Sequence, residues 1–291
     1  MPAIDHGADN THWGWHSLWP APAKLNLFLH VTGRRADGYH TLQTLFRFVD
    51  YGDSLHFSPD AELRLGKPLP GLKAEDDLCL RAARLLQQAT AYRQGACITL
   101  DKRLPMGGGL GGGSSDAATV LLALNHLWGT GLKRHELQTL GLELGADVPV
   151  FVFGDNAFAE GIGEKLRPVE LPAAWYLVLE PPVAVPTAQI FQAPDLRRDS
   201  PMIAASAWQG QYTRNDLRPV AQRLFPVIAQ YADWLEQFAP ARMTGSGACV
   251  FAEFASEALA RKACEQMPTA MKGWLAKGLT RHPLRELGGP A

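Results

Sequence analysis

Cysteine is scarce in this chain of 291 residues: four are present, Cys79, Cys97, Cys249 and Cys264, widely separated and forming no CxxC or Cys/His cluster. That scarcity excludes a disulfide framework and a thiolate metal centre, and reads as reduced thiols packed as small hydrophobes. Charge of one sign is missing too. Lys plus Arg number 28 against 29 Asp plus Glu, a formal net charge of −1, so nothing global favours nucleic acid or an anionic membrane surface. No apolar run approaches the roughly 18 residues of a membrane helix, and the N-terminus lacks the basic-then-apolar order of a secretory signal, which makes a cytoplasmic protein the expectation. No repeat with a period of roughly 20–50 residues is visible, which excludes a solenoid.

What is present is enough apolar material for a large core, 46% of the chain, over a length that suits two domains of about 150 residues. The hydrophobic pattern resets near Arg167, so the expected division is an N-terminal extension over 1–18, loosely ordered, then one domain over 19–165 and a second over 166–291. Within the extension His12 and His16 stand four apart, but Gly14 lies between them and no third ligand is near, so the pair is coincidental.

The chain is organised around the stretch Leu104-Pro105-Met106-Gly107-Gly108-Gly109-Leu110-Gly111-Gly112-Gly113-Ser114-Ser115-Asp116, with six glycines in seven positions. It follows an alternating apolar run, 96–100, and opens onto a run of helix formers, 116–128. Glycine can take positive φ and lets backbone N–H groups close on a ligand oxygen. Ser114, Ser115 and Asp116 are good N-cap types, and the helix beginning among them points unpaired N–H groups back at the loop. This is a cradle for a phosphate chain. The P-loop pattern fails, because no lysine follows Gly113. Gly107-x-Gly109-x-x-Gly112 formally meets the dinucleotide fingerprint, with Glu136 or Glu143 at an acceptable distance for the ribose. That fingerprint normally follows the first strand, however, and several strands precede it here. A flexible linker is the other reading, and linkers do not usually sit between a strand and an apolar helix.

Alternation predicts a strand over 21–31, with Ala23, Leu25, Leu27, Leu29 and Val31 on one face and Lys24, Asn26, Phe28 and His30 on the other. Lys24 and Asn26 thus point the same way; a solvated lysine face is the alternative. Asp37-Gly38 signals a hairpin turn into strands over 41–49 and 54–57, with Tyr39 at its mouth either as a packing aromatic or as a stacking ring for a base, and His40 beside it as a hydrogen-bonding ring. A short strand is expected over 62–65 and helices over 78–88 and 135–144. Residues 145–152 read as a turn into a strand because Pro149 favours extended geometry before it, with Asp147 in that turn as a possible stabilising carboxylate. Beyond the boundary, a strand is expected over 175–179, an extended segment at Pro181, Pro182 and Pro186 that ends in Thr187 and leads to Phe191, one helix over 215–238, a second glycine turn at Gly245-Ser246-Gly247 entering a strand, and a helix over 256–265.

The loop resembles the Pro-x-Gly-x-Gly-Leu-Gly-Ser-Ser-Ala-type loop of the GHMP kinases, named for galactokinase, homoserine kinase, mevalonate kinase and phosphomevalonate kinase. Pro105, Gly107, Gly109, Leu110, Gly111, Ser114 and Ser115 carry the resemblance, with Gly112 and Gly113 lengthening the junction. Lys24, Asp147 and the 244–247 turn fall in the order of the family's three motifs, and the resemblance runs from about Trp19 to about residue 280. It implies an α+β fold of two domains, an N-terminal ribosomal-protein-S5-like domain and a C-terminal ferredoxin-like domain, with the active site in the cleft between them.

The resemblance also implies ATP-dependent phosphorylation of a small alcohol, by direct transfer with Asp147 as base and Lys24 polarising the hydroxyl. Met106 to Ser115, behind Pro105, would cradle the ATP phosphates. The finer match of 22–27, 35–40 and 145–149 is to family members whose substrate is a diphosphocytidyl-linked alcohol of non-mevalonate isoprenoid synthesis. It places Asn26, Tyr39, His40, Thr187, Phe191, Gly245 and Ser246 on the substrate side, with cytosine stacked between Tyr39 and Phe191 and bonded by His40. Mg2+ would accompany ATP, with a loop hydroxyl such as Ser114 as a candidate protein oxygen; no metal ligand set is readable. The resemblance leaves a monomer or weak homodimer as the expected form. A non-catalytic nucleotide-binding module stays open as an alternative, but it would need neither Lys24 nor Asp147.

Overall fold

At the Asp37-Gly38 turn, Gly38 takes a φ of 91° and Tyr39 N–H donates to Asp37 Oδ1 at 3.2 Å. The chain folds back there as an antiparallel hairpin of Trp19–Arg34 (β1) on His40–Asp60 (β2). The computed structural model describes residues 13–68, 70–208, 210 and 214–287. Residues 1–12, with His12 and most of the expected extension, lie outside the described residues.

β2 is one strand of 21 residues where two were expected. It runs unbroken because it changes partners along its length. β1 covers most of it, Ala157–Glu160 (β5) pairs at Thr44 to Phe46, and Gly95–Asp101 (β4) pairs at Ser54 to Asp60. Leu63–Leu65 (β3) runs parallel to β4 at one edge and Lys165–Pro168 (β6) antiparallel to β5 at the other. The expected boundary at 165 therefore falls on the first residue of β6, and the chain leaves this sheet after Pro168. Four helices pack on one face: Leu78–Thr90 (α1), Gly112–Leu127 (α2), Arg134–Leu144 (α3) and Val148–Phe153 (α4). Asp77 caps α1, its carboxylate accepting from Cys79 and Leu80 N–H at 2.9 and 3.2 Å.

A second, wholly antiparallel sheet follows the order β10-β7-β9-β8, formed by Trp175–Leu179 (β7), Ala241–Met243 (β8), Val250–Phe254 (β9) and Gly273–Lys277 (β10). Thr187–Gln192 (α5), Arg218–Leu224 (α6), Pro226–Glu236 (α7) and Glu257–Cys264 (α8) accompany it. One apolar cluster lies under α1 to α4, one among α5 to α8, and a third joins the two sheets through Leu25, Phe28, Tyr176 and Phe251. After β10 the chain returns to the first sheet, where Leu279 N–H donates to Phe48 O at 2.8 Å and Asn156 Nδ2 donates to Leu279 O at 2.8 Å.

This layering corrects several sequence expectations. β1 is buried continuously from Trp19 to Val31, because helices cover one face of its sheet and the second sheet the other. A solvated face for Lys24 is thereby excluded. Register shifts after Pro22, Asn26 and Val31 also break the single alternation. Residues 148–153 form α4 and not a strand, since Pro149 sits in the first turn, where its missing N–H costs nothing. The expected single helix at 215–238 is split into α6 and α7 at Phe225-Pro226, as proline dictates. α2 begins at Gly112 with Gly111 as its left-handed N-cap and no side-chain cap, so Ser114, Ser115 and Asp116 lie inside the helix. α5 and β10 had no readable periodic signal; packing decides both. Among the described residues no helix is long and apolar enough to cross a membrane.

Candidate active site

The glycine loop uses its permissive positions in alternation: Gly107, Gly109 and Gly111 take φ of 69°, 75° and 73°. The loop is docked on the second glycine turn. Ala248 and Cys249 N–H donate to the carbonyls of Gly107 and Gly108 at 3.2 and 3.1 Å, and Thr244 Oγ1 donates to Gly109 O at 3.0 Å. A Cβ on Gly109 would stand 2.2 Å from Thr244 O. The α2 N-terminus therefore opens toward a ligand space whose far wall is carried by the second half of the chain.

On β1, Lys24 is 2% exposed. Its ammonium donates to Asn26 Oδ1 at 2.6 Å, faces Asp147 Oδ2 at 3.2 Å and lies 5.4 Å above the Phe46 ring. A buried ammonium needs such partners. Asn26 is the hub: Oδ1 also accepts Gly245 N–H at 2.9 Å, Nδ2 donates to Thr44 Oγ1 at 2.9 Å, and its own N–H donates to Thr244 Oγ1 at 3.1 Å. Asp147 sits at the N-cap position of α4 yet makes no side-chain cap bond. At 37% exposure its carboxylate is open to solvent on the cavity side. The turn-stabilising alternative for Asp147 is thus not its role here.

These groups line one cavity of about 950 Å³. Of the residues singled out in the sequence, it gathers Lys24, Asn26, Tyr39, His40, Pro105 to Ser114, Asp147, Thr187, Phe191, Gly245 and Ser246. Thr187 Oγ1 and Ser246 Oγ are 2.8 Å apart at its rim. Tyr39 and Met106 project into it as open apolar groups, 60% and 69% exposed. The His40 and Phe191 ring centroids are 5.0 Å apart with 30° between planes. Burial, and after it Arg198 and Arg34, hold His40 below the usual imidazole range.

Ser115 is the residue the structure does not bring to this space. It is fully buried, and its hydroxyl donates to Pro22 O at 2.7 Å, tying α2 to β1. Ser115→Ala is expected to cost about 1 kcal/mol of stability in urea unfolding, with KM for ATP unchanged; a raised KM would return the hydroxyl to the ligand site.

Sequence reasoning missed a charged cluster beside the loop. Lys102 Nζ contacts Asp53 Oδ2 at 2.5 Å and Asp116 Oδ2 at 2.7 Å, and a Cβ on Gly112 would be 3.0 Å from that ammonium. Burial raises the Asp116 carboxyl to about 8 against the pull of Lys102, with Asp53 adding to the rise. Its Oδ1 has no hydrogen-bond partner. Lys102 lies four residues before the loop, and this adjacency was the available signal. Among the described residues no group of three or more His, Cys, Asp or Glu is arranged to hold a metal ion.

Residues 77–155 match the model of the GHMP kinases N-terminal domain and 192–273 that of the GHMP kinases C-terminal region. The chain is 63% identical over 273 residues to the 4-diphosphocytidyl-2-C-methyl-D-erythritol kinase of Dechloromonas aromatica, covering 93% of this chain and 100% of that protein. It is 58% identical over 272 residues to the protein of that name from Nitrosospira multiformis, covering 92% of each. A crystal structure of 4-(cytidine 5'-diphospho)-2C-methyl-D-erythritol kinase aligns with a TM-score of 0.79 at 36% identity over 90% of this chain and 99% of that one. A mevalonate kinase crystal structure aligns with a TM-score of 0.67 at 16% identity over 90% of this chain and 99% of that one, a likeness of fold alone.

Proposed function

The chain belongs to the GHMP kinase family, and from that premise we propose that it transfers the γ-phosphoryl group of ATP to the 2-hydroxyl of 4-diphosphocytidyl-2-C-methyl-D-erythritol. The products are the 2-phosphate and ADP, in non-mevalonate isoprenoid precursor biosynthesis. The observation that carries the reading is the Lys24–Asp147 pair, 3.2 Å apart, in one cavity with the glycine loop and the His40–Phe191 ring pair. A triphosphate on the loop and a nucleobase on Phe191 would leave an acceptor hydroxyl beside that pair.

Phosphoryl transfer passes through a loose transition state, so positioning and charge stabilisation do most of the catalysis. Asp147 accepts the hydroxyl proton late in the transfer, and Lys24 stabilises the developing alkoxide. Asn26 holds Lys24 in place and, through Gly245 and Thr244, links it to the turn that clasps the glycine loop. Tyr39 and Phe191 offer faces for the cytosine and His40 its hydrogen bond; Thr187, Gly245 and Ser246 close the rim. Phosphate oxygens contact the loop backbone from Met106 to Ser114.

Mg2+ bound with ATP takes most of its ligands from water and phosphate and needs one or two protein oxygens. The unpartnered Asp116 Oδ1 at the loop and the half-buried Ser114 hydroxyl fit that need. The ion would neutralise phosphate charge. We take the active form to be a monomer or weak homodimer, and we place the activity in the cytoplasm, where ATP is supplied.

The test is ADP release from ATP and Mg2+ with the diphosphocytidyl alcohol, homoserine or mevalonate. Turnover with the first alone is the expected result; turnover with a control and silence with the first would keep the kinase and discard the substrate.

A further inference from the structure

Arg198 lies on the segment after α5, outside the cavity lining, yet its guanidinium ties together both rings of the nucleobase end. Nε–H donates to His40 Nε2 at 3.0 Å. One terminal nitrogen donates to Phe191 O and Ala193 O at 2.9 and 2.8 Å, and the other to Leu196 O at 2.9 Å. Arginine has five donors and no acceptor, so the His40–Arg198 bond has only one sense: Nε2 is bare and accepts. The proton of the neutral imidazole is then on Nδ1, for which no hydrogen bond is found within the described residues, and His40 itself lines the cavity that Arg198 does not. Burial and the two nearby arginines, Arg198 and Arg34, oppose a second proton on the ring. The same guanidinium holds the Phe191 backbone, and so keeps the His40 and Phe191 rings 5.0 Å apart and 30° from parallel. That is a tilted pair, which keeps the imidazole within reach of a base lying on Phe191.

We propose that Arg198 is a positioning residue that sets the nucleobase preference of this site, by locking His40 as an Nδ1–H donor beside the face of Phe191. The proposal rests on the cytidine-linked substrate of the preceding subsection. Ring nitrogen N3 of cytosine carries no proton and accepts, whereas N3 of uracil carries one and donates. A fixed donor on His40 therefore pairs with cytosine and leaves two donors opposed when uracil enters. Without Arg198 the imidazole can move its proton to Nε2 and present Nδ1 as an acceptor, which suits uracil. A site that leaves polar groups unpaired with the wrong ligand discriminates far more strongly than one that only loses apolar contact.

The experiment measures ADP release by the full chain with 4-diphosphocytidyl-methylerythritol and with its uridine diphosphate counterpart, for wild type, Arg198→Met and Arg198→Lys. The wild type is expected to favour the cytidine compound in kcat/KM. Arg198→Met is expected to raise KM for it about tenfold, leave KM for ATP near the wild-type value, and narrow the cytidine-to-uridine ratio by about tenfold. Arg198→Lys, whose ammonium can also only donate, should restore most of the ratio. An unchanged ratio in Arg198→Met, or an equal loss for both compounds, would overturn the proposal and leave Arg198 as a structural clamp on α5. If Arg198→Met does not fold, nitrogen-15 NMR of the wild-type imidazole decides: protonated Nδ1 with bare Nε2 supports it, and the reverse tautomer sinks it. A wild type inactive on the cytidine compound but active on another alcohol would instead overturn the substrate reading on which it stands.

Discussion

Asp147→Asn is expected to lower kcat by about 10²- to 10⁴-fold, the range general-base assistance supplies, with KM for ATP near its wild-type value. The substitution keeps the shape of the side chain and removes its basicity. Asp147 makes no cap bond to α4, so its loss leaves the helix N-terminus as it was. Among the described residues the carboxylate's one close partner is Lys24 Nζ at 3.2 Å, and that ammonium keeps Asn26 Oδ1 at 2.6 Å when the charge opposite is gone. The fold should therefore survive, with the loss confined to the chemical step. Steady-state kinetics with a thermal melt check this. A variant retaining more than a few per cent of kcat would remove Asp147 from the role of base.

Gly109→Ala has the second large effect, and it acts through the backbone. Position 109 has a φ of 75°, where a Cβ is strained, and that Cβ would lie 2.2 Å from the Thr244 carbonyl oxygen. The carbonyl cannot yield alone, because it accepts Gly247 N–H at 3.0 Å and the same turn holds Gly107, Gly108 and Asn26. The glycine loop must lift off its support. We expect a stability loss of about 2–4 kcal/mol and a rise of tenfold or more in KM for ATP, on the order of strained-backbone substitutions that also break a packed contact. Gly113→Ala is the control. It lies inside α2, and its Cβ would meet Leu78 Cδ1 at 3.3 Å and nothing nearer. Its stability should stay within about 1 kcal/mol of wild type, since alanine favours the helix by about that much. Equal behaviour of the two variants, seen in urea unfolding, would show that the loop is not held by close approach.

Several parts of the site were legible because they are local. The glycine density at 107–113 implied positive φ and a helix N-terminus; the Asp37-Gly38 turn implied the hairpin that delivers Tyr39 and His40. The resemblance to the GHMP kinases added roles for Lys24 and Asp147 that spacing alone left open. Other parts were hidden for physical reasons. A period-2 pattern reports which side chains share a face and says nothing of what covers that face, so Lys24 could have been solvated; helices and a second sheet bury it. Ser115 has the composition of a phosphate ligand and the position of a structural hydroxyl, because one helical residue turns it by about 100° from Ser114. Pro149 weighs against helix in the middle of one and favours it in the first turn, and only the observed start of α4 separates the two.

The sequence by itself determined the residue types, the local backbone of the turns and the chemistry each side chain can perform, since these depend on neighbours a few positions away. Tertiary structure decided which of them meet. It brought Lys24 to Asp147, closed the 244–249 turn on the glycine loop, set Lys102 between Asp53 and Asp116, and placed Arg198 on His40, 158 positions earlier in the chain. Those encounters arise from the burial of two sheets against each other under layers of helices. That packing depends on the summed apolar surface of the whole chain and on no short stretch of it.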